Sequence, residues 1–133
     1  DCIARIMYEP KCQFKKKYFP FFSDNLSPFN TQNSFLDASL LKDYFLFPGV
    51  GRMHDIWAAY YLQYKNKVNV IYGEPSVFQK RNIHTSRKDL IDEFIGIKKN
   101  NKFVNNLINK SFKMKDFFSR KSIESFKLYQ KHF

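Results

Sequence analysis

The sequence predicts an α/β fold, on three observations. Apolar residues at Met53, Ile56, Trp57, Tyr60, Tyr61 and Tyr64 recur at i, i+3, i+4, i+7, i+8 and i+11, the period of one buried helix face. A compact β-branched run, Val68-Asn69-Val70-Ile71-Tyr72, follows closely and is bounded by Gly73-Glu74-Pro75, which reads as a strand and its turn. Ser86-x-x-Asp89 then has the form of a capping box ahead of Leu90, Ile91, Phe94 and Ile95, so a further helix opens there.

A chain of 133 residues has room for one domain or for one piece of a larger one. Hydrophobic residues make up 44% and aromatics 19%, with 16 Phe and 8 Tyr against a single Trp, and that much apolar area offsets chain entropy and excludes intrinsic disorder. No apolar run approaches the ~18 residues of a membrane span, and no charged-then-apolar leader opens the chain. The expected location is the cytoplasm or the periphery of a membrane. Because the chain begins at Asp1 rather than Met, it is expected to be a piece of a longer protein. Two cysteines, Cys2 and Cys12, are too few for a disulfide scaffold and lack CxxC spacing, which favours a reducing compartment.

Taken in order, the first segment sets Lys15-Lys16-Lys17 beside Tyr18, Phe19, Phe21 and Phe22, with Pro10, Pro20 and Pro28 as punctuation, and reads as extended pieces and loops. Asn30 to Leu36 is a strand or an extended polar loop, followed by a short helix that opens near Asp37 and ends before Pro48. Pro48-Gly49-Val50-Gly51 is a turn, since a G-x-G without a preceding strand and a third glycine makes a poor phosphate loop. In the helix from about Met53, Ala58, Ala59 and Leu62 fill the remaining positions. It is apolar on most of its circumference and belongs deep in the structure. The Ser86 helix is expected to stop around Gly96. From Lys98 onward, Phe103, Val104, Leu107 and Ile108, then Ile123 and Phe126, mark amphipathic basic helices, so the predicted division is residues 1–97 and a basic helical tail, 98–133.

Twenty-three Lys and Arg against 12 Asp and Glu give a net charge of +11, which suggests a polyanionic partner. Its distribution narrows that inference: residues 1–97 carry 13 basic and 10 acidic groups, a balance of +3, and residues 98–133 carry 10 and 2, a balance of +8. Charge on an amphipathic helix is ordinarily a solvated face, or else a means of adhering to an anionic membrane surface. Nucleic acid is the rival partner, suggested by the lysines interleaved with aromatics from Lys15 to Phe22.

Asp55 is the anomaly in the buried helix. At ~100° per residue it points away from the Met53, Trp57, Tyr60, Tyr64 stripe and shares its side with Ala58, Ala59 and Leu62. A carboxylate in a first helical turn is favoured by the dipole and by free N–H groups and stays ionised at neutral pH, as a general base must; a capping Asp without chemistry has the same pattern. Asn30, Thr31, Gln32 and Asn33 supply hydrogen-bonding groups in a short run, suited to sugar hydroxyls or a uracil edge, and equally to a polar turn. Trp57, on the aromatic stripe, is either core or a platform for a sugar ring.

Three strings together, S-P-F-N-T-Q-N-S-F (Ser27 to Phe35), F-L-F-P-G-V-G-R-M-H-D-I-W-A-A-Y-Y-L-Q (Phe45 to Gln63) and Y-G-E-P-S-V-F-Q-K-R-N-x-H (Tyr72 to His84), resemble the C-terminal half of STELLO-type glycosyltransferase domains, which carry an N-S-Q-N-like segment and then an R-x-x-D-I-W helix with a downstream Gln. More distantly the chain is similar to the reversibly glycosylated polypeptides, the UDP-arabinopyranose mutases, with their D-D-M-W-A-G-W helix, G-x-P segment and His. The resemblance covers about residues 1–97. It implies the C-terminal, acceptor-side part of a GT-A-like mixed-sheet fold, with D-C-I-A-R-I at Asp1 matching the D-x-D-A-x-x-R-L segment in the middle of such domains and the nucleotide-binding half lying outside this chain.

The implied reaction is transfer of a sugar from a nucleotide-sugar donor to a hydroxyl acceptor, and the chain alone is expected to be inactive. Asp55 takes the place of the catalytic base, and Arg52 is placed to meet a phosphate or substrate carboxylate. His84 resembles by position the histidine that completes a divalent metal site, Mn²⁺ or Mg²⁺. Trp57, Asn30, Gln32, Asn33 and Arg81 complete the candidate substrate contacts. His54 departs from the mutase pattern, standing where those relatives have a second Asp. The rival to an enzyme, besides a nucleic-acid module, is a noncatalytic interaction domain on the same fold.

Overall fold

The apolar period of the sequence places its main helix correctly. α1 (His54–Asn66) continues directly from a 3₁₀ turn, Gly51–Met53, and buries Trp57 through Gln63 without a break. In this computed structural model residues 15–77 and 86–133 are described; the expectations on Asp1, Cys2, Cys12, Arg81 and His84 lie outside them. α1 ends on Lys67 in the left-handed conformation (φ 53°, ψ 44°), a stop made without the glycine that usually signals one.

The segment before α1 is the expected turn. Gly49 (φ +83°) and Gly51 (φ +58°) take left-handed conformations that cost a glycine little. At Gly51 a Cβ would run into the main-chain carbonyl of Asp92, so the bare backbone lets the turn press against the next helix. That helix, α2 (Ser86–Ile108), opens where the capping box predicts but does not stop at Gly96. Gly96 is a packing contact rather than a cap: the Met53 thioether occupies the space where its side chain would be. The boundary expected between residues 97 and 98 therefore falls inside a continuous helix. α2 closes at Lys110 (φ 55°), where Ser111 N–H donates to the Asn106 carbonyl at 2.9 Å and Lys110 N–H to that of Leu107 at 3.1 Å, a Schellman motif built on lysine.

The short helix at Asp37 forms as a 3₁₀ segment, Ala38–Asp43, with the Asp37 carboxylate accepting from Ser39 N–H at 2.8 Å. Asn30 to Leu36 is the polar loop rather than the strand. β1 (Phe21–Ser23) arises within the stretch read as extended pieces and pairs antiparallel with β2 (Val70–Tyr72) in the register Phe21↔Tyr72, Phe22↔Ile71, Ser23↔Val70. α3 (Arg120–Gln130) is capped by Ser119, whose hydroxyl accepts from Ser122 N–H at 3.2 Å. The described chain is thus mixed, helices with a two-stranded sheet, and none of its described helices is long and apolar enough to cross a membrane.

Aromatic rings fill the core. Trp57 stacks on Phe103 with centroids 4.6 Å apart, Phe47 stacks on Phe118 at 3.9 Å, and Phe117 meets Phe103 edge-on at 5.0 Å. Half of the buried cluster, namely Phe103, Leu107, Phe117, Phe118 and Phe126, comes from beyond residue 97. Those residues are not an appendage: their lysines face water while Phe103, Phe117, Phe118 and Phe126 close the core over α1. Asp43, almost wholly buried, ties the far corner together by accepting from the Asn66 amide at 3.2 Å and the Gln130 amide at 3.0 Å, at the last residues of α1 and α3.

Candidate functional site

The helix start fixes Asp55. It sits half-buried in the first turn of α1, with Oδ1 accepting from the Ile56 N–H at 2.9 Å, where the partial positive charge of the helix end favours an anion. Tyr44 lies near: burial, and then the charge of Asp55, push its phenol up to about 12. The Tyr44 hydroxyl is buried with no hydrogen-bond partner among the described residues. Asp55 therefore neighbours a phenol that stays neutral.

Arg52 is already engaged. Its Nη1 lies 3.0 Å from Asp89 Oδ1 and its Nε 3.0 Å from Glu93 Oε1, so the fork expected to meet a phosphate instead clamps α2 to the turn before α1. His54 Nδ1 sits 2.9 Å from the Gly51 carbonyl; since a carbonyl only accepts, that nitrogen is the protonated one, and the ring turns back on its own turn. Trp57 offers no ring face to a sugar, because it is fully buried between aromatic neighbours and its Nε1 donates to Asn100 Oδ1 at 3.1 Å.

The polar run after Pro28 lies elsewhere. Asn30 Oδ1 accepts from the Gln32 N–H at 3.1 Å, the Ser34 hydroxyl donates to the Asn30 carbonyl at 2.6 Å, and Asn33 Nδ2 donates to Ser76 Oγ at 3.1 Å. Asn30 and Asn33 line an open hollow of about 640 Å³ bounded by this loop, by Leu62 and Gln63 of α1, and by β2 with the turn from Tyr72 to Ser76; Gln32 does not line it. Among the described residues the walls include the carboxylates Asp37 and Glu74, the latter 3.6 Å from Lys16 Nζ, and no Lys or Arg lines them. Hydrogen bonds from the Ser39 hydroxyl and then its N–H hold the Asp37 carboxyl below its ordinary range.

Two contributors to this hollow were not among the candidates. Gln63 is buried at the centre of it: its Nε2 donates to the Ser27 and Ala59 carbonyls at 2.7 and 2.8 Å, and its Oε1 accepts from Ser27 N–H at 3.0 Å, which pins the loop to the helix. An amide on an otherwise apolar helix face was its signal. Phe35 stands on the rim at 99% exposure, an aromatic ring without packing that a single sequence does not distinguish from core. Tyr72 adds a bond from its hydroxyl to the Pro28 carbonyl at 2.7 Å.

Asn30, Asn33, Gln63, Tyr72 and Glu74 are thus brought together, and Asp55 and Arg52 are not among them. Asp55 precedes Gln63 by two turns of α1, about 12 Å along the axis at ~1.5 Å per residue. Arg81 and His84 lie outside the described residues, and among the described residues no three acidic, His or Cys side chains converge on a point where a metal ion would sit. Comparison with family models, with curated proteins and with solved structures gives no match for this chain.

Proposed function

We propose that this chain is the acceptor-side portion of a GT-A-like, nucleotide-sugar-dependent glycosyltransferase, with Asp55 as general base. The observation that carries the reading is convergence: the three strings that bear the family resemblance, far apart in sequence, contribute Asn30 and Asn33, Gln63, and Tyr72 to Ser76 to the walls of one hollow. Those walls suit an uncharged, hydroxyl-rich ligand. Amides and hydroxyls can pair with sugar hydroxyls, and Phe35 presents the open ring face that Trp57 lacks. In this reading His84 would help to hold a divalent metal that meets the donor's phosphates.

In this reading the hollow grips a distal unit of the acceptor and the reacting hydroxyl reaches Asp55 about 12 Å along α1, so the acceptor is an oligosaccharide or larger glycan rather than a monosaccharide. Asp55 draws off the hydroxyl proton as that oxygen bonds to the anomeric carbon and the bond to the nucleotide diphosphate breaks. A well-placed base contributes about 10²- to 10⁴-fold. The test is sugar transfer by the natural full-length protein carrying Asp55→Asn: activity falls by about 10²-fold or more while oligosaccharide binding persists. Unchanged transfer would remove Asp55 as the base, and no transfer by the unsubstituted full-length protein would remove the enzymatic reading.

A second reading has an observation of its own. Tyr18, Phe21 and Phe22 are each more than half exposed beside Lys15, Lys16 and Lys17, and Lys17 Nζ lies 5.2 Å from the Tyr18 ring centroid, an arrangement that suits stacking on single-stranded nucleic acid. RNA binding that weakens steeply with salt and is abolished by Phe22→Ala would favour it.

A further inference from the structure

The charge pattern of α2 differs between its two sides. Two of its carboxylates serve the interior, Asp89 and Glu93, which bind Arg52. At ~100° per residue, the opposite arc carries Leu90, Ile91, Phe94 and Ile97 with Arg87, Lys98 and Lys102 set among them, and no carboxylate. The four apolar side chains are 47%, 65%, 51% and 52% exposed. Lys98 Nζ stands 4.3 Å from the Phe94 ring centroid, its stem laid along the apolar surface.

We propose that this outer face of α2 docks on an anionic lipid surface, with Leu90, Ile91, Phe94 and Ile97 entering the boundary between headgroups and acyl chains while Arg87, Lys98 and Lys102 lie at the level of the phosphates. Two features favour a bilayer over a protein partner. Lysines are depleted from the apolar centres of protein interfaces, and here they are threaded through the patch. α2 runs for 23 residues with this outer face exposed from Leu90 to Lys102, as the face of an interfacial helix is. The membrane contact expected of the segment after residue 97 is thereby moved to the middle of the chain, and it stands independently of the glycosyltransferase reading.

The test is sedimentation of the intact chain with vesicles of phosphatidylcholine, with and without phosphatidylserine. The chain partitions onto the phosphatidylserine vesicles. Ile91→Ser with Phe94→Ser lowers the partition coefficient about tenfold or more, through lost apolar contact. Lys98→Glu with Lys102→Glu lowers it by at least about fivefold for each cation removed. All four positions are exposed, so helical circular dichroism stays at the wild-type level and reports that the variants fold. No binding, or binding that the double serine variant retains, overturns the proposal, the latter because it would be the diffuse attraction of a chain of net charge +11. So would an oligomer that the serine variant breaks apart without any vesicle binding by the wild type.

Discussion

At Gly51 a single missing side chain decides how two segments meet. Its φ of +58° and the Asp92 carbonyl in the path of any Cβ act together, so Gly51→Ala is expected to lower stability by about 3 kcal/mol, read from the urea unfolding midpoint. Tyr44 and Tyr61 show the same dependence on surroundings. Burial first, joined by Asp55 for Tyr44 and by Asp43 and then Tyr64 for Tyr61, pushes both phenols from 10.0 up to about 12. The folded chain therefore keeps protons that the unfolded chain releases near 10. This contribution to stability is complete below pH 10 and disappears as the pH rises towards about 12, so unfolding midpoints should be level to pH 10 and then decline, the decline shrinking in Tyr44→Phe. Asp55 stood out in sequence because a carboxylate on an apolar helix is conspicuous. Arg52 was visible too, but its partners were not: Asp89 and Glu93 lie beyond a strand and a turn, and no local spacing links them to it.

Among the elements, α1 and the start of α2 were legible because helical period and a capping box are local signals. The ends were harder. α1 and α2 stop on Lys67 and Lys110 in left-handed conformations where the usual marker is glycine, whereas Gly96, which has the residue type of a stop, sits mid-helix to admit the Met53 side chain. β1 was hidden for another reason: a three-residue strand without alternation gains its identity only from the partner it pairs with. The clamp between Arg52 and α2 gives this scale its prediction. Glu93 is buried, so Arg52→Ala leaves a carboxylate away from water without its cation and should cost about 3 kcal/mol, whereas Arg52→Met combined with Glu93→Leu should recover most of the loss in chemical unfolding.

Over the whole molecule, the coarse mixture of helix and strand was foreseeable and the assembly was not. Lysines dominate the composition after residue 97, and composition alone makes that stretch look detachable; the decisive residues are the few phenylalanines between the lysines, which reach Trp57 and Phe47. A chain ending at Ile97 would lack half of the buried cluster and is expected not to fold, giving collapsed amide dispersion in its nuclear magnetic resonance spectrum. The hollow was legible only in part. Asn30 and Asn33 were picked out as a polar run, but the wall opposite them is made by Gln63 and the turn after β2, and only folding puts these on facing sides.

The Asp43 clasp bears on how this corner of the fold responds to salt and to trimming. Asn66 and Gln130 are neutral amides, so raising the ionic strength does little to loosen their grip on an anion sealed from solvent, even as the many surface cations are screened. Removal of residues 130–133 leaves the buried Asp43 carboxylate with only the Asn66 amide of the two, and the corner where two helices finish should be the first place to fray.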